Sequence, residues 1–143
     1  MTVKAILDTK GRDVVTIASE KTLREAVELL TERRIGAVVV MDGAGRIGGI
    51  LSERDIVRAL AREGAAALDM ATSAFMTAKV KTCRESHTVN EVMQIMTQSR
   101  FRHLPVEESG QLVGIVSIGD VVKRRIEEVE REAEEIRTYI ATA

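Results

Sequence analysis

GILSERD at residues 49–55 and GIVSIGD at residues 114–120 are two versions of one seven-residue phrase. Each has glycine first, then two aliphatic residues, serine, two variable residues and aspartate, and the second copy begins 65 residues after the first. The similarity extends upstream, where TLREAVELLTERR at 22–34 aligns with TVNEVMQIMTQSR at 88–100. An internal duplication is the simplest explanation of this pattern.

Both copies predict the same order of elements. Thr22 with Glu25, and Thr88 with Glu91, have the spacing of a capping box, so a helix is predicted to begin at each threonine. Two aliphatic runs then follow in each copy, separated by a turn that contains glycine, which predicts a hairpin. The predicted hairpin strands are 37–40 with 47–51 and 104–106 with 112–116, and short extended leads lie at 14–17 and 80–83. A second helix is predicted after each phrase.

The phrase allows two interpretations that do not exclude each other. Ser52 with Asp55, and Ser117 with Asp120, have the spacing of helix N-terminal caps. A helix start of this kind also offers unpaired backbone amides and the positive end of the helix dipole to a phosphate. A carboxylate one turn further on can accept hydrogen bonds from the two hydroxyls of a ribose. A hydroxyl combined with a carboxylate therefore fits a nucleotide.

Composition limits the other functions that we expect. The chain has 143 residues and is 45% apolar, enough to bury the core of one compact domain or of two small ones. With 21 Lys plus Arg against 22 Asp plus Glu, the formal charge is −1, so binding to nucleic acid or to a membrane surface is not expected. No apolar run approaches the ~20 residues that span a bilayer, and no leader opens the chain, which predicts a cytoplasmic protein.

Metal binding and catalysis are not expected either. The one cysteine and two histidines have no cluster of metal-ligand spacing around them. The sequence has no paired carboxylates, Gly-rich lysine loop or Ser-His-Asp set, so we predict that the chain is not an enzyme.

The phrase, the helix–hairpin–helix unit and the tandem arrangement resemble a pair of cystathionine β-synthase (CBS) domains, a Bateman module. The resemblance covers residues 1–125, and RFRHLPVEESGQLVGIVSIGDVV at 100–122 is its most specific stretch. It implies an α+β fold in which each CBS domain is a small three-stranded sheet with two helices packed on it. The implied segments are an N-terminal helix 1–12, a first domain 13–63, a linker 64–78, a second domain 79–125 and a C-terminal helix extension 126–143.

In that family the phrase binds adenosyl nucleotides, so the resemblance implies a role for each polar residue of the two copies. Asp55 and Asp120 are expected to hold ribose, while Ser52 and Ser117 approach phosphate. The family's basic pair before Leu-Pro-Val falls on Arg102 and His103, which are expected to meet the phosphates. A histidine with a purely structural role is the alternative for His103.

The first copy lacks the basic pair. Gly36 and Ala37 occupy the corresponding positions, so the two sites are not expected to be equally occupied, although Arg54 partly compensates. The resemblance also implies apolar walls for adenine, formed by Thr16, Ile17, Ile35, Thr82, Cys83, Leu104 and Pro105. The alternative for Ile17, Ile35 and Leu104 is plain core, and the alternative for Cys83 is a small buried apolar residue.

The two ends of the chain predict helices with apolar faces. In the segment 120–143, six apolar residues are spaced 4, 3, 4, 3 and 4 apart, which indicates a heptad seam. They are Val122, Ile126, Val129, Ala133, Ile136 and Ile140. This helix either lies on its own domain or packs against a second copy, and we favour the second copy because the family commonly dimerises. The opening TVKAILD predicts a short helix that docks on the other half through Val3, Ile6 and Leu7.

Taken together, the residues and the resemblance imply a stand-alone regulatory module. It is expected to bind AMP, ADP, ATP or NAD(H) between its two repeats, to form a homodimer and to modulate an unknown separate partner protein. The alternative is a dimeric assembly module that needs no ligand.

Overall fold

The computed structural model describes residues 1–142, and the chain has the α+β fold that the sequence predicts. The helices are α1 Val3–Lys10, α2 Leu23–Arg33, α3 Glu53–Glu63, α4 Val89–Ser99 and α5 Ile118–Thr142. The strands are β1 Thr16–Ala18, β2 Ala37–Met41, β3 Ile47–Ser52, β4 His103–Glu108 and β5 Gln111–Ser117. Two 3-10 helices, Gly64–Asp69 and Thr72–Ala74, lie between α3 and α4. The last residue of the predicted C-terminal helix, Ala143, lies outside the described residues.

The chain divides into two compact units, each with its own apolar core. The first-repeat unit comprises Asp13–Val80 with Ser109–Leu112. The second-repeat unit comprises Met1–Arg12, Lys81–Glu108 and the chain from Val113 onward. The domain boundaries given above stay a prediction.

The first-repeat unit contains a three-stranded sheet in the order β1-β2-β3. β1 runs parallel to β2, with Ile17 opposite Val40, and β3 runs antiparallel to β2, with Leu51 opposite Val38.

Both capping-box predictions are confirmed, because Thr22 caps α2 and Thr88 caps α4, each with a glutamate three residues further on. The apolar faces of α2 and α3 pack on the sheet of the first-repeat unit and exclude water from that unit's core.

The second-repeat unit has a two-stranded sheet, so the prediction of a third strand here is wrong. The lead-in stretch makes a single parallel bridge, Cys83 with Val106. The reason is visible at Pro105, which is equivalent to Val39 of the first repeat. The Val39 amide donates to the carbonyl of Val15 at 3.4 Å, whereas proline has no N–H to donate.

Helix α1 belongs to the core of the second-repeat unit, as the sequence predicts. Val3, Ile6 and Leu7 are buried together with the apolar face of α4. The Val3 amide donates to the carbonyl of His87 at 2.9 Å, and the Val89 amide donates to the carbonyl of Met1 at 3.0 Å. The N-terminal segment is therefore an integral part of this unit.

The segment 70–77 has the same position in the first-repeat unit that α1 has in the second. The Leu23 amide donates to the carbonyl of Met70 at 2.9 Å, which matches the bond from Val89 to Met1. Ile50 and Thr77 exchange two backbone hydrogen bonds of 3.0 and 2.8 Å. Much of the predicted linker is therefore packed structure of the first-repeat unit.

Candidate ligand-binding site

The first phrase forms the start of α3 as a complete capping box, which confirms the capping interpretation. The Asp55 Oδ2 atom accepts the backbone N–H of Ser52 at 2.9 Å and the Ser52 hydroxyl at 3.1 Å. The other carboxylate oxygen, Oδ1, accepts the Thr77 hydroxyl at 3.3 Å. Asp55 is only 9% exposed, and both of its oxygens are bonded within the unit.

The second phrase forms the start of α5 in the same way, but its carboxylate has a charged partner. The Asp120 Oδ2 atom accepts the backbone N–H of Ser117 at 2.9 Å, and the Asp120 amide donates to the Ser117 hydroxyl at 3.2 Å. The same Oδ2 atom lies 2.5 Å from the ammonium of Lys10, at the end of α1. The Asp120 side chain remains 25% exposed.

The pKa of Asp120 reflects opposing influences. Burial is the largest one, and it raises the pKa because it disfavours the charged form. The hydrogen bonds from Lys10 and from the Ser117 backbone, together with the charge of Lys10, outweigh burial and leave the pKa of Asp120 below its ordinary value. Asp120 is therefore a stable carboxylate at neutral pH.

Close packing explains the glycine that begins each phrase. A Cβ atom on Gly49 would lie 2.5 Å from the carbonyl oxygen of Thr77, and one on Gly114 would lie 2.8 Å from the methyl groups of Leu7. The phrase thus has a glycine where another segment of the same unit crosses the strand, namely 70–77 in the first-repeat unit and α1 in the second.

Most amides at the two helix starts are already bonded within the chain, which corrects the expectation that they are unpaired. The Glu53 amide donates to the carbonyl of Gly36 at 3.1 Å, and the Ile118 amide donates to the carbonyl of Arg102 at 2.8 Å. In the part of the chain that the structure describes, the first-turn amides of Arg54 and Gly119 have no assigned hydrogen bond. Each helix start therefore retains one amide that can donate to a further hydrogen-bond partner.

The predicted site residues of the first copy all lie in the first-repeat unit. Gly36 and Ala37 adjoin the phrase, because Ala37 pairs with Ser52 across the sheet and Gly36 bonds to the next amide. Ile17 is buried in the core and Ile35 is half-buried against it. Thr16 and Arg54 are exposed.

The predicted site residues of the second copy all lie in the second-repeat unit. The Cys83 amide donates to the carbonyl of Pro105 at 3.0 Å, and the adjacent Thr82 is half-buried. Leu104 and Pro105 are buried, His103 is half-buried at the start of β4, and Arg102 is exposed.

Cys83 fits the description of a small buried apolar residue. Burial, followed by the charge of Glu108, raises the pKa of its thiol to about 12. The thiol is therefore protonated at neutral pH and a poor nucleophile.

A surface cavity of about 450 Å³ lies in the first-repeat unit between α2 and α3. Its lining includes Ile35, Gly36 and Glu53, so it borders the first phrase. Asp55 does not line this cavity, because its side chain points back into the capping box.

Sequence reasoning missed two residues that contact the phrase aspartates, Lys10 and Thr77. The sequence does show that both residues lie in repeated segments, since MTVKAILDTK at 1–10 aligns with MATSAFMTAK at 70–79. In this alignment Leu7 corresponds to Met76, and both side chains pack against the phrase glycine of their own unit. The duplication therefore begins earlier in each copy than residues 13 and 79.

Residues 1–142 contain no helix that is both long and apolar enough to cross a membrane. Over the same residues, no group of three or more His, Cys, Asp or Glu side chains has the arrangement of a metal site. The expectation that the protein binds no metal stays a prediction.

Two copies of one α+β unit, each with a glycine-initiated phrase that caps a helix, define a tandem-repeat protein. The chain belongs to the CBS-domain family, because the family model described as "CBS domain" matches residues 3–62 and again residues 72–127.

Known relatives agree with this assignment. A CBS-domain containing protein from Agrobacterium tumefaciens is 52% identical with a TM-score of 0.83, and the match covers 87% of this chain and 92% of that one. The CBS domain pair of the protein MJ0100, solved in complex with 5′-methylthioadenosine and S-adenosyl-L-methionine, is 26% identical with a TM-score of 0.79, covering 90% and 98% of the two chains. An uncharacterized 17.7 kDa protein of Acidianus ambivalens is 37% identical over 111 residues, which are 77% of this chain and 66% of that protein. The chain thus spans just under two thirds of the length of this relative.

Proposed function

We propose that the chain is a regulatory module that binds an adenine nucleotide, AMP, ADP, ATP or NAD(H), and modulates a separate partner protein. It acts as a cytoplasmic homodimer and catalyses no reaction of its own. Ligand binding biases the partner because the ligand has different affinities for two states of the module.

Family membership supports a small-molecule ligand that contains adenosine. The MJ0100 domain pair, at 26% identity, was solved with two adenosine compounds. A ribose with two adjacent hydroxyls is common to these compounds and to the adenine nucleotides. A carboxylate near a helix start suits that group, since it accepts hydrogen bonds from both hydroxyls.

The state of Asp120 is the observation that carries the proposal. Its Oδ2 atom is engaged by Ser117 and Lys10, while Oδ1 has no hydrogen bond assigned within residues 1–142. Asp120 is half-buried, whereas Asp55 is buried. Asp120 can therefore accept a ribose hydroxyl without losing its cap, whereas Asp55 is buried and has both oxygens bonded within its unit.

The second copy also has the cationic groups that a phosphate needs. Arg102 is exposed, and its backbone carbonyl bonds the first amide of α5, so the residue lies beside the helix start. In the proposed site Arg102 and His103 contact phosphate, Ser117 and the Gly119 amide complete the anion contacts, and Asp120 holds ribose. Of the predicted adenine-wall residues of this copy, the half-buried Thr82 has surface left for a ligand, because Cys83 and Leu104 are buried in the core. The first copy, with Gly36 and Ala37 instead, is the weaker site.

A ligand-independent assembly module is the second candidate. It is favoured by the capping role of both phrase aspartates, which gives the phrase a structural reason to exist without any ligand. The exposed apolar residues of α5 favour it as well.

Thermal melting with added ligands separates the two candidates. AMP, ATP, NADH and S-adenosylmethionine are added singly to the full chain, and at least one is expected to raise the melting temperature. A ligand at about 100 times its dissociation constant stabilises the folded state by about 2.7 kcal/mol. For a chain of this size that corresponds to an increase of roughly 5–10 °C.

Matched variants locate the site. Asp120→Ala is expected to abolish the ligand-induced increase, and Asp55→Ala to lower the melting temperature but retain the increase. Glu91→Ala is the control, because it removes a capping-box carboxylate at α4, where no ligand is proposed. If no compound raises the melting temperature, or if Asp120→Ala responds like Glu91→Ala, the nucleotide proposal fails and the assembly module is supported.

A further inference from the structure

Helix α5 has an apolar stripe without a partner in its own chain. The seam residues Val122, Ile126, Val129, Ile136 and Ile140 are between 41% and 68% exposed. From Val129 to Thr142 every residue except Ala133 is exposed, so no other part of the described chain covers the second half of α5. This second half is 14 residues long. An isolated helix of about 12–15 residues is only marginally stable in water unless its apolar face is buried.

The seam has the geometry of a coiled coil. Ile126, Ala133 and Ile140 occupy the a positions of the heptad, and Val122, Val129 and Ile136 occupy the d positions. The residues that flank such a seam, at e and g, set the orientation of the two helices through their charges. In α5 the e residues are Lys123, Glu130 and Arg137, and the g residues are Arg125, Glu132 and Tyr139.

We propose that α5 pairs with α5 of a second copy of this chain, in parallel and in register. In that arrangement each g residue faces the e residue five positions later on the other helix. Arg125 then faces the partner's Glu130, and Glu132 faces the partner's Arg137. The two-fold symmetry repeats both pairs, which makes four attractive interactions and no repulsive one.

The antiparallel arrangement with full overlap is disfavoured by the same charges. There e residues face e residues and g residues face g residues. Glu130 would face the partner's Glu130, Glu132 would face the partner's Glu132, and Lys123 would face the partner's Arg137. Like charges at these positions oppose association.

The ion pairs within α5 do not prevent the pairing. Arg125 contacts Glu128 at 3.3 Å and Arg137 contacts Glu134 at 3.1 Å, both three residues apart on one helix. The Arg137–Glu134 pair is mostly exposed, and such pairs contribute little to stability. Arg137 can therefore turn to the neighbouring helix at small cost. The Arg125–Glu128 pair is more shielded, but the Arg125 guanidinium has N–H donors besides the Nη1 group bonded to Glu128, and these can reach the neighbouring helix.

This inference rests on the homodimer of the proposed function and is independent of its nucleotide site. The test begins with the mass of the full chain by light scattering across a concentration series, where a dimer is expected. Coiled coils with β-branched residues at their d positions can also contain three or four helices. A mass of one, three or four chains would therefore overturn the proposal.

Charge exchange tests the orientation. Glu130→Arg places arginine opposite the partner's Arg125 and is expected to raise the dissociation constant roughly tenfold. The double variant Arg125→Glu with Glu130→Arg restores opposite charges in the parallel arrangement and is expected to recover the original value. Glu135→Arg makes the same change of charge on the exposed side of α5, away from the seam, and is expected to have little effect. Failure of the double variant to recover contradicts parallel pairing.

A disulfide crosslink tests the orientation of the two α5 helices directly. Ile140→Cys puts the two new thiols in one a layer of the parallel dimer, so mild oxidation with diamide is expected to give a covalent dimer. In the fully overlapped antiparallel arrangement these residues lie about 27 Å apart along the helix, too far for a disulfide. Cys83 is buried and does not compete. Absence of the crosslink overturns the proposal, whereas a loss of nucleotide-induced stabilisation in these variants would have no bearing on it.

Discussion

Replacement of Lys10 by methionine tests the contact between α1 and the second phrase. Methionine has a similar apolar stem but no charge, so it removes the bond to Asp120 and retains most of the packing. The ammonium and Asp120 Oδ2 are 2.5 Å apart, and the two side chains are only 33% and 25% exposed. A charge-assisted bond that is this well shielded contributes about 1–2 kcal/mol. We therefore expect a decrease in melting temperature of roughly 3–6 °C.

The effect should depend on pH in a defined direction. The pKa of Asp120 is lowered in the folded protein, so this group contributes stability above the pKa of an unfolded aspartate, about 3.9. The contribution is lost as the pH falls through the lowered pKa of the folded state. The difference between the wild type and Lys10→Met should therefore be constant from pH 7 to about pH 5 and decrease below about pH 4.

The assay is thermal unfolding followed by circular dichroism between pH 7 and pH 3. Lys4→Met is the matched control, because Lys4 lies on the same helix and pairs with Asp8 in an exposed ion pair of 3.3 Å. It is expected to leave the melting temperature nearly unchanged at every pH. Equal effects of the two variants at pH 7 would refute the reasoning, as would a Lys10→Met effect that persists undiminished at pH 3.

Three further predictions concern the first phrase and the cysteine. Gly49→Ala puts a methyl group 2.5 Å from the backbone carbonyl oxygen of Thr77 and should destabilise the protein by about 2–3 kcal/mol in urea unfolding. In the control Gly48→Ala, the methyl group lies 3.4 Å from its nearest neighbour, the carbonyl oxygen of Val40, and the cost should be less than about 1 kcal/mol. Thr77→Val removes the hydroxyl that donates to Asp55 and should cost about 1 kcal/mol; no change relative to Thr31→Val, which removes an exposed hydroxyl, would contradict the assigned bond. The Cys83 thiol, with its pKa raised to about 12, should resist maleimide at pH 8 in the native protein and react once guanidinium unfolds it. Rapid native labelling would show that the site is open.

Local signals in the sequence were sufficient to predict most elements of the fold. The capping boxes at Thr22 and Thr88 involve residues three apart, so their spacing alone identifies the helix starts. The phrase is a local signal of the same kind, which is why the capping of α3 and α5 could be predicted. The seam of α5 was also visible from its heptad spacing.

Features that depend on distant residues could not be predicted with the same success. The third strand of the second-repeat unit is missing because Pro105 lacks the N–H that Val39 uses at the equivalent position, and this follows only when the two repeats are compared residue by residue. The partners of the phrase aspartates come from segments 22 and 110 residues away in sequence. Such contacts are set by tertiary packing rather than by local spacing.

The duplicated phrase has a structural role in both repeats, so its presence does not by itself indicate a ligand. The glycine allows the segment 70–77, or α1 in the second repeat, to pack closely against the strand. The serine and the aspartate cap the helix. The repeats differ in the second carboxylate oxygen, which accepts the Thr77 hydroxyl in the buried Asp55 but has no assigned bond within residues 1–142 in the more exposed Asp120. Binding requires an acceptor that is both charged and accessible. Replacement of either aspartate should therefore destabilise the fold, and only replacement of Asp120 should also abolish the ligand-induced increase in melting temperature.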